Sequence, residues 1–172
     1  MMGEVVAQRR PVWAGVVTLL AVVAVLGVPT IRLWAVSQFP PLALLEGIRL
    51  PGPLPTLGLP LADDPSWAHW AMRSLGALAI PLVFGLWMSR SPRGPGRVAL
   101  GAWTTTVVAV VFGSVVHAVL ASMLLAGGFL SFLLTLGGTL LVGTVIGMVV
   151  GVVVAVACAI VSRRSPHGVG SQ

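Results

Sequence analysis

The feature that most constrains this chain is a run of 65 consecutive residues, from Val98 to Ser162, that contains no Asp, Glu, Lys or Arg. A soluble domain has a charged residue at about one position in four. Over the whole chain, 8% of the residues are charged and 57% are hydrophobic. The sequence therefore predicts a membrane protein whose apolar helices face lipid.

The length of the uncharged run predicts how many helices it forms. Three spans of about 20 residues would leave no room for turns, whereas two longer, tilted spans fit with a connector. We predict spans over residues 99–126 and 138–161, joined by an apolar connector over 127–137 at the far interface.

Two more spans are predicted in the first half of the chain. Residues 12–30 are apolar and follow two arginines, and the run exceeds the 7–15 residues typical of a signal-peptide core, so we expect an uncleaved anchor. The sequence Asp63-Asp64-Pro65 is typical of a helix start and predicts a span over 66–89. Between them, residues 31–65 contain seven prolines, which predicts an extracytoplasmic loop whose leucines favour the membrane surface or a partner.

The predicted fold is all-α: a polytopic, four-helix membrane bundle over residues 1–172, with a cytoplasmic tail at 163–172. One side of this arrangement collects seven Arg and one Glu, and the other collects three Arg and three acids. By the positive-inside rule, both termini are predicted to be cytoplasmic. All ten basic residues are Arg, and Lys and Asn are absent, a usage typical of a GC-rich bacterial genome, so we expect the inner membrane of a bacterium.

The charge of +6 does not indicate a nucleic-acid partner, because the arginines are scattered singly or in pairs between apolar runs. Cys158 is the one cysteine, so no internal disulfide can form, and no Cys/His spacing resembles a zinc site. No cofactor is predicted. No serine with a base, phosphate-binding loop or inward carboxylate indicates catalysis, so we do not expect an enzyme.

Small residues at intervals of four indicate helix contacts in the last two predicted spans, because positions i and i+4 share a face and let backbones approach in lipid. This glycine-zipper pattern comprises Gly143, Gly147, Gly151, Ala155 and Ala159 in the last span. The preceding span carries Ala102, Thr106, Ser114, Ala118, Ser122 and Ala126, with Val110 as a larger member. The two rows predict an antiparallel hairpin. The alternative is that the glycine row forms a homo-oligomer or docks onto a larger membrane protein.

Ionisable residues within spans are functional candidates, since they are costly in the bilayer. Five such groups are expected at similar depth near the outer mouth: Asp63, Asp64, His69, Arg73 and His117. One interpretation is a functional cluster, with Arg73 paired to an aspartate and the two histidines binding a proton or metal. The other is structural, with Arg73 reaching the headgroups and the histidines held by neighbours.

The function we expect is non-catalytic: an accessory or assembly subunit that uses its small-residue helix faces and its apolar outer loop. The alternative is a small oligomeric transporter or channel with a polar path near Arg73 and His117. Besides the lipid bilayer, the expected partners are another membrane protein or further copies of this chain.

Overall fold

The computed structural model describes helices that form an antiparallel four-helix bundle. The described residues are 2–28, 30–31, 37–38, 67–90, 97–125 and 128–163. For some of these only the backbone is described: 2–9, 68–70, 72–73, 121, 124–125 and 131. In this part of the chain there is no strand, and the long helices are α1 (Met2–Leu26), α2 (Trp67–Arg90), α3 (Val98–Leu125) and α4 (Phe129–Arg163). The predicted all-α class is confirmed for these residues. The predicted outer loop and C-terminal tail lie almost entirely outside them.

Helices that follow one another in the chain pack side by side. The contact between α3 and α4 is the most extensive, followed by that between α2 and α3, while α1 closes the bundle against both α2 and α4. Because neighbouring helices are antiparallel, the first residues of α1 and α3 and the last residues of α2 and α4 lie at the same end of the bundle.

Helix α1 is longer than the apolar segment that predicts it. It begins at Met2, ten residues before the predicted span, and contains Pro11. It ends in a tightened turn, where the N–H of Gly27 donates to the carbonyls of Val23 and Ala24, both at 3.1 Å. Glycine is favoured at this position because it adopts the conformations that close a helix.

Helix α4 corrects the predicted connector between the last two helices. Residues 129–137 belong to α4 and not to a connector, and the first helical bond runs from the N–H of Phe132 to the carbonyl of Gly128 at 3.1 Å. Gly137 and Gly138 lie inside this helix because glycine lowers helix stability by only about 1 kcal/mol and does not end a helix by itself.

The core is apolar and draws on all four helices. Its most buried members include Leu19 from α1, Phe84 from α2, Ala109 from α3 and Val154 from α4. Helix α3 makes the most extensive contacts with its two neighbours, α2 and α4. Many large apolar side chains point outward from every helix.

Two segments of the described chain are long and apolar enough to cross a membrane, judged by length and composition. They are Val98–Leu120 in α3 and Phe132–Arg163 in α4. The apolar stretches Arg10–Leu26 and Ser74–Arg90, in α1 and α2, are shorter.

Candidate functional site: polar residues inside the bundle

The predicted polar cluster is only partly within the described structure. Asp63 and Asp64 lie outside the described residues. His69 and Arg73 lie in the first two turns of α2, but their side chains are outside the description. His117 lies on α3 and is buried, with 1% of its surface exposed.

The α2–α3 register sets the level of His117. A Cβ atom at Gly113 would come within 2.5 Å of the Ile80 side chain and within 2.8 Å of the Gly76 carbonyl oxygen. Because the helices are antiparallel, one further turn along α3 brings position 117 to the level of residues 72–76 on α2. The backbone therefore places Arg73 and His117 at a similar depth on neighbouring helices.

Three buried hydroxyl groups make no hydrogen bond within the described structure. They belong to Ser74 on α2 and to Thr105 and Ser114 on α3. Ser74 and Thr105 were not among the predicted site residues, because a serine or threonine in an apolar helix usually bonds to its own backbone and its sequence position gives no signal of burial.

Ser114 lines a small cavity at the centre of the bundle. The cavity has a volume of about 20 Å³, and its other walls come from Leu19, Ile80 and Gly143, on the three remaining helices. A volume of this size is large enough for one water molecule. The Ser114 hydroxyl is therefore the polar group of an otherwise apolar chamber.

Most other described hydroxyl groups of the interior bond to their own helix. Thr106 donates to the carbonyl of Ala102 at 2.8 Å, and Thr139 donates to that of Thr135 at 2.6 Å. The exposed residue Thr104 does the same, donating a bond of 3.1 Å to the carbonyl of Leu100. These hydroxyls satisfy backbone acceptors and do not form a continuous polar track.

The small residues of α4 lie directly against α3. A Cβ atom would come within 2.8 Å of Ser114 Oγ at Gly143, within 3.1 Å of Val107 Cα at Gly147, and within 2.9 Å of Trp103 Cδ1 at Gly151. All three glycines are buried. Only glycine permits the backbones to approach this closely.

Near the C-terminal end of α4, the buried residues no longer follow the strict four-residue spacing. Ala155 and Ala159 are half-buried, whereas Val154 and Cys158 are fully buried. A four-residue step advances about 40° around a helix of 3.6 residues per turn, so the row rotates away from its partner and a three-residue step restores it.

On α3 the predicted row is covered along most of its length. The buried members are Ala102, Thr106, Val110, Ser114 and Ala118. Ser122 is half-buried, and Ala126 lies outside the described residues. This row remains covered despite its rotation, because the contacts of α3 with α2 and α4 are the two most extensive in the bundle.

The Cys158 thiol is buried and donates a hydrogen bond to the carbonyl oxygen of Pro11 at 3.3 Å. It therefore joins the last helix to the first. Within the described ranges, no group of three or more His, Cys, Asp or Glu side chains is placed to hold a metal ion.

Thr106 and Thr139 bond to their own helices, and the small residues of α4 bring it into contact with α3. This geometry suits helix packing, and His117 and Ser114 are among its fully buried polar side chains. In comparisons with known proteins, no protein-family model, no curated protein and no solved structure matches this chain.

Proposed function

We propose that this protein is a four-pass protein of a bacterial cytoplasmic membrane that acts as a non-catalytic accessory or assembly subunit. The observation that carries the membrane part is the surface of the bundle. Each helix exposes large apolar side chains: Val17 is 59% exposed on α1, Leu82 64% on α2, Leu100 65% on α3 and Leu141 68% on α4. Such a surface would aggregate in water and is well solvated by lipid tails.

The lengths of α1 and α2 support a four-pass arrangement. They contain 25 and 24 residues, which at about 1.5 Å per residue is enough to cross a hydrocarbon core of about 30 Å. Their continuous apolar stretches are shorter than those of α3 and α4, so the ends of α1 and α2 would reach the headgroup region.

The charge distribution supports cytoplasmic termini. The described side chains include four arginines, at positions 10, 90, 97 and 163, and no acidic residue. All four arginines lie at the end of the bundle where α1 begins and α4 ends. Positive residues are retained on the cytoplasmic side of a membrane protein.

The accessory role is supported by the surfaces that the four helices do not cover. The glycine row of α4 is covered by α3, so an oligomer through that face would require α3 to move away. A partner would therefore contact the outward apolar faces or the outer loop at residues 31–65. The interior supports packing more than transport, because its central cavity of about 20 Å³ accommodates one water molecule.

A transporter or channel is the second candidate, and one observation favours it. Helix α3 carries three buried polar side chains, Thr105, Ser114 and His117, and the last two lie within about 60° of each other around the helix. A path near Arg73 and His117 would then form between copies of the chain. A His117→Ala variant with unchanged pH and metal response would count against this candidate.

The membrane arrangement is tested by single cysteines in a Cys158→Ala background. We expect Thr56→Cys to react with a membrane-impermeant maleimide in intact cells, whereas Gly94→Cys and Ser165→Cys react only after lysis. Resistance of the protein to alkaline carbonate extraction is the companion measurement. Release by carbonate, or labelling of Gly94→Cys from outside, would contradict the four-pass proposal.

The accessory role is tested by the mass of the particle purified in mild detergent. An accessory subunit is expected in a complex with a different, larger membrane protein. A symmetric assembly of this chain alone would instead support the transporter or channel, and a monomer would weaken both candidates.

A further inference from the structure

A groove lies on the outside of the bundle, between α1 and α2. It has a volume of about 810 Å³ and opens outward. Apolar side chains line most of it, including Val12 and Val16 from α1 and Leu82 and Leu86 from α2. Volumes of this order are typical of sites for small molecules.

The groove exists because of the local sequence of α2. Gly85 supplies no side chain at the bottom, and a Cβ atom there would come within 3.3 Å of Val16 Cγ2. Pro81 lies one turn earlier and also lines the groove. Leu82 and Leu86, on either side of Gly85 along α2, line the groove with exposed apolar side chains.

The register of the two helices brings two arginines close to one end of the groove, next to its lining residues Val12 and Ser89. Val16 lies against Gly85, and the two helices are antiparallel. Moving six residues back along α1 and five residues forward along α2 covers about 7–9 Å on each helix. Arg10 and Arg90 therefore come to the same level, just beyond the groove, and both are exposed.

Aromatic side chains mark the same level. Trp13 lines the groove and is 64% exposed, and Trp87 lines a recess together with Leu86 and Arg90. Exposed tryptophans are enriched at the boundary between the hydrocarbon core and the headgroups. The apolar groove would thus lie at the depth of lipid tails and the arginines at the depth of phosphates.

We infer that this groove binds an anionic phospholipid of the cytoplasmic leaflet, with an acyl chain along Leu82 and Gly85 and the phosphate between Arg10 and Arg90. The inference rests on the proposed membrane location. Charge complementarity selects this occupant, because all four arginines with described side chains lie at this end of the bundle, where Glu4 is the one acidic residue of α1, and a guanidinium group binds phosphate through paired hydrogen bonds. An apolar helix of another protein would fill the groove but would leave both arginines without an anion.

The experiment uses the intact protein in phosphatidylcholine vesicles that contain brominated lipid, which quenches nearby tryptophan fluorescence. In the wild type we expect brominated phosphatidylglycerol to quench at lower mole fractions than brominated phosphatidylcholine. The preference is the ratio of the two mole fractions that give equal quenching. In the double variant Arg10→Gln/Arg90→Gln this ratio should fall about tenfold, because charge-assisted hydrogen bonds to the phosphate are removed.

The matched control is Arg97→Gln/Arg163→Gln, which removes two exposed charges from the same end of the bundle but away from the groove. Its preference should stay within about twofold of the wild type, because the remaining effect is general surface attraction. Equal quenching by the two lipids in the wild type, or equal losses in the two double variants, would overturn the inference. Carbonate extraction of the same samples separates that result from a failure of the membrane location itself.

Discussion

The indole N–H of Trp103 on α3 donates a hydrogen bond to the backbone carbonyl of Met148 on α4, over 3.1 Å. The same ring lies against Gly151, one turn farther along α4. A single side chain therefore fixes the register of the most extensive helix pair in the bundle. The glycine makes room for the ring, and the hydrogen bond holds the ring there.

Replacement of Trp103 by phenylalanine removes this donor and keeps an aromatic ring. We expect Trp103→Phe to lower the free energy of unfolding by about 0.5–1.5 kcal/mol, the usual worth of one hydrogen bond. The measurement is denaturant unfolding in detergent, followed by circular dichroism. Trp87→Phe is the control, since Trp87 is 54% exposed, and a similar loss in both variants would contradict the role of the bond.

Gly147 and Gly137 offer substitutions with opposite expected signs on one helix. A Cβ atom at Gly147 meets the α3 backbone at 3.1 Å, whereas one at Gly137 meets nothing within 4 Å. Gly147→Ala should lower the free energy of unfolding by about 1–3 kcal/mol through overpacking. Gly137→Ala should raise it by about 0.5–1 kcal/mol, because alanine loses less backbone entropy.

The larger change Gly147→Leu should prevent folding or assembly altogether, as seen by loss of a single peak in size-exclusion chromatography. Val149→Leu is the matched control, because Val149 is 65% exposed on the same helix. Unchanged behaviour of Gly147→Leu would contradict close packing of α3 and α4 through this face.

The contact between Gly15 and Phe84 joins α1 to α2. A Cβ atom at Gly15 would overlap the Phe84 ring, which is fully buried. We expect Gly15→Ala to destabilise the protein by about 1–3 kcal/mol. In the double variant Gly15→Ala/Phe84→Leu, the smaller side chain should recover part of this loss, and a double-mutant cycle measures the coupling. Strictly additive effects would argue against the contact.

Burial of Cys158 predicts a slow reaction with thiol reagents. The side chain has 0% of its surface exposed, so in mild detergent a maleimide should modify it only as fast as the bundle opens. The measurement is the mass shift over time, with and without denaturant. In the variant Cys158→Ala/Arg163→Cys the new thiol lies at an exposed position and should react at once. Equal rates for the two proteins would contradict the burial.

The sequence predicted the positions of α2 and α3 to within one residue at each end, because proline, glycine and arginine residues mark both boundaries of each helix. Hydropathy predicts the start of α1 too late, because the helix continues into the polar segment before Val12. The pair Gly137 and Gly138 predicts the start of α4 too late, because apolar residues on both sides continue the helix.

Residue spacing along a helix predicts which residues face a neighbouring helix. It does not predict how deeply an individual side chain is buried in the bundle. The four-residue spacing of Gly143, Gly147 and Gly151 identified a face that the fold places on α3. The burial of Ser74 depends on the rotation of α2 relative to α3, which the sequence does not encode locally. Cys158, by contrast, is expected from its apolar surroundings to be a small buried side chain, and it is fully buried beside half-buried Ala159.

The thiol contact between Cys158 and Pro11 spans 147 positions of the chain. Helices α3 and α4, by contrast, are joined by only three residues and can pair as soon as both are made. Local contacts form early and distant ones late. Synthesis therefore imposes an order: the last helix must leave the ribosome before the first acquires its second neighbour, and until then one flank of α1 remains uncovered by the chain.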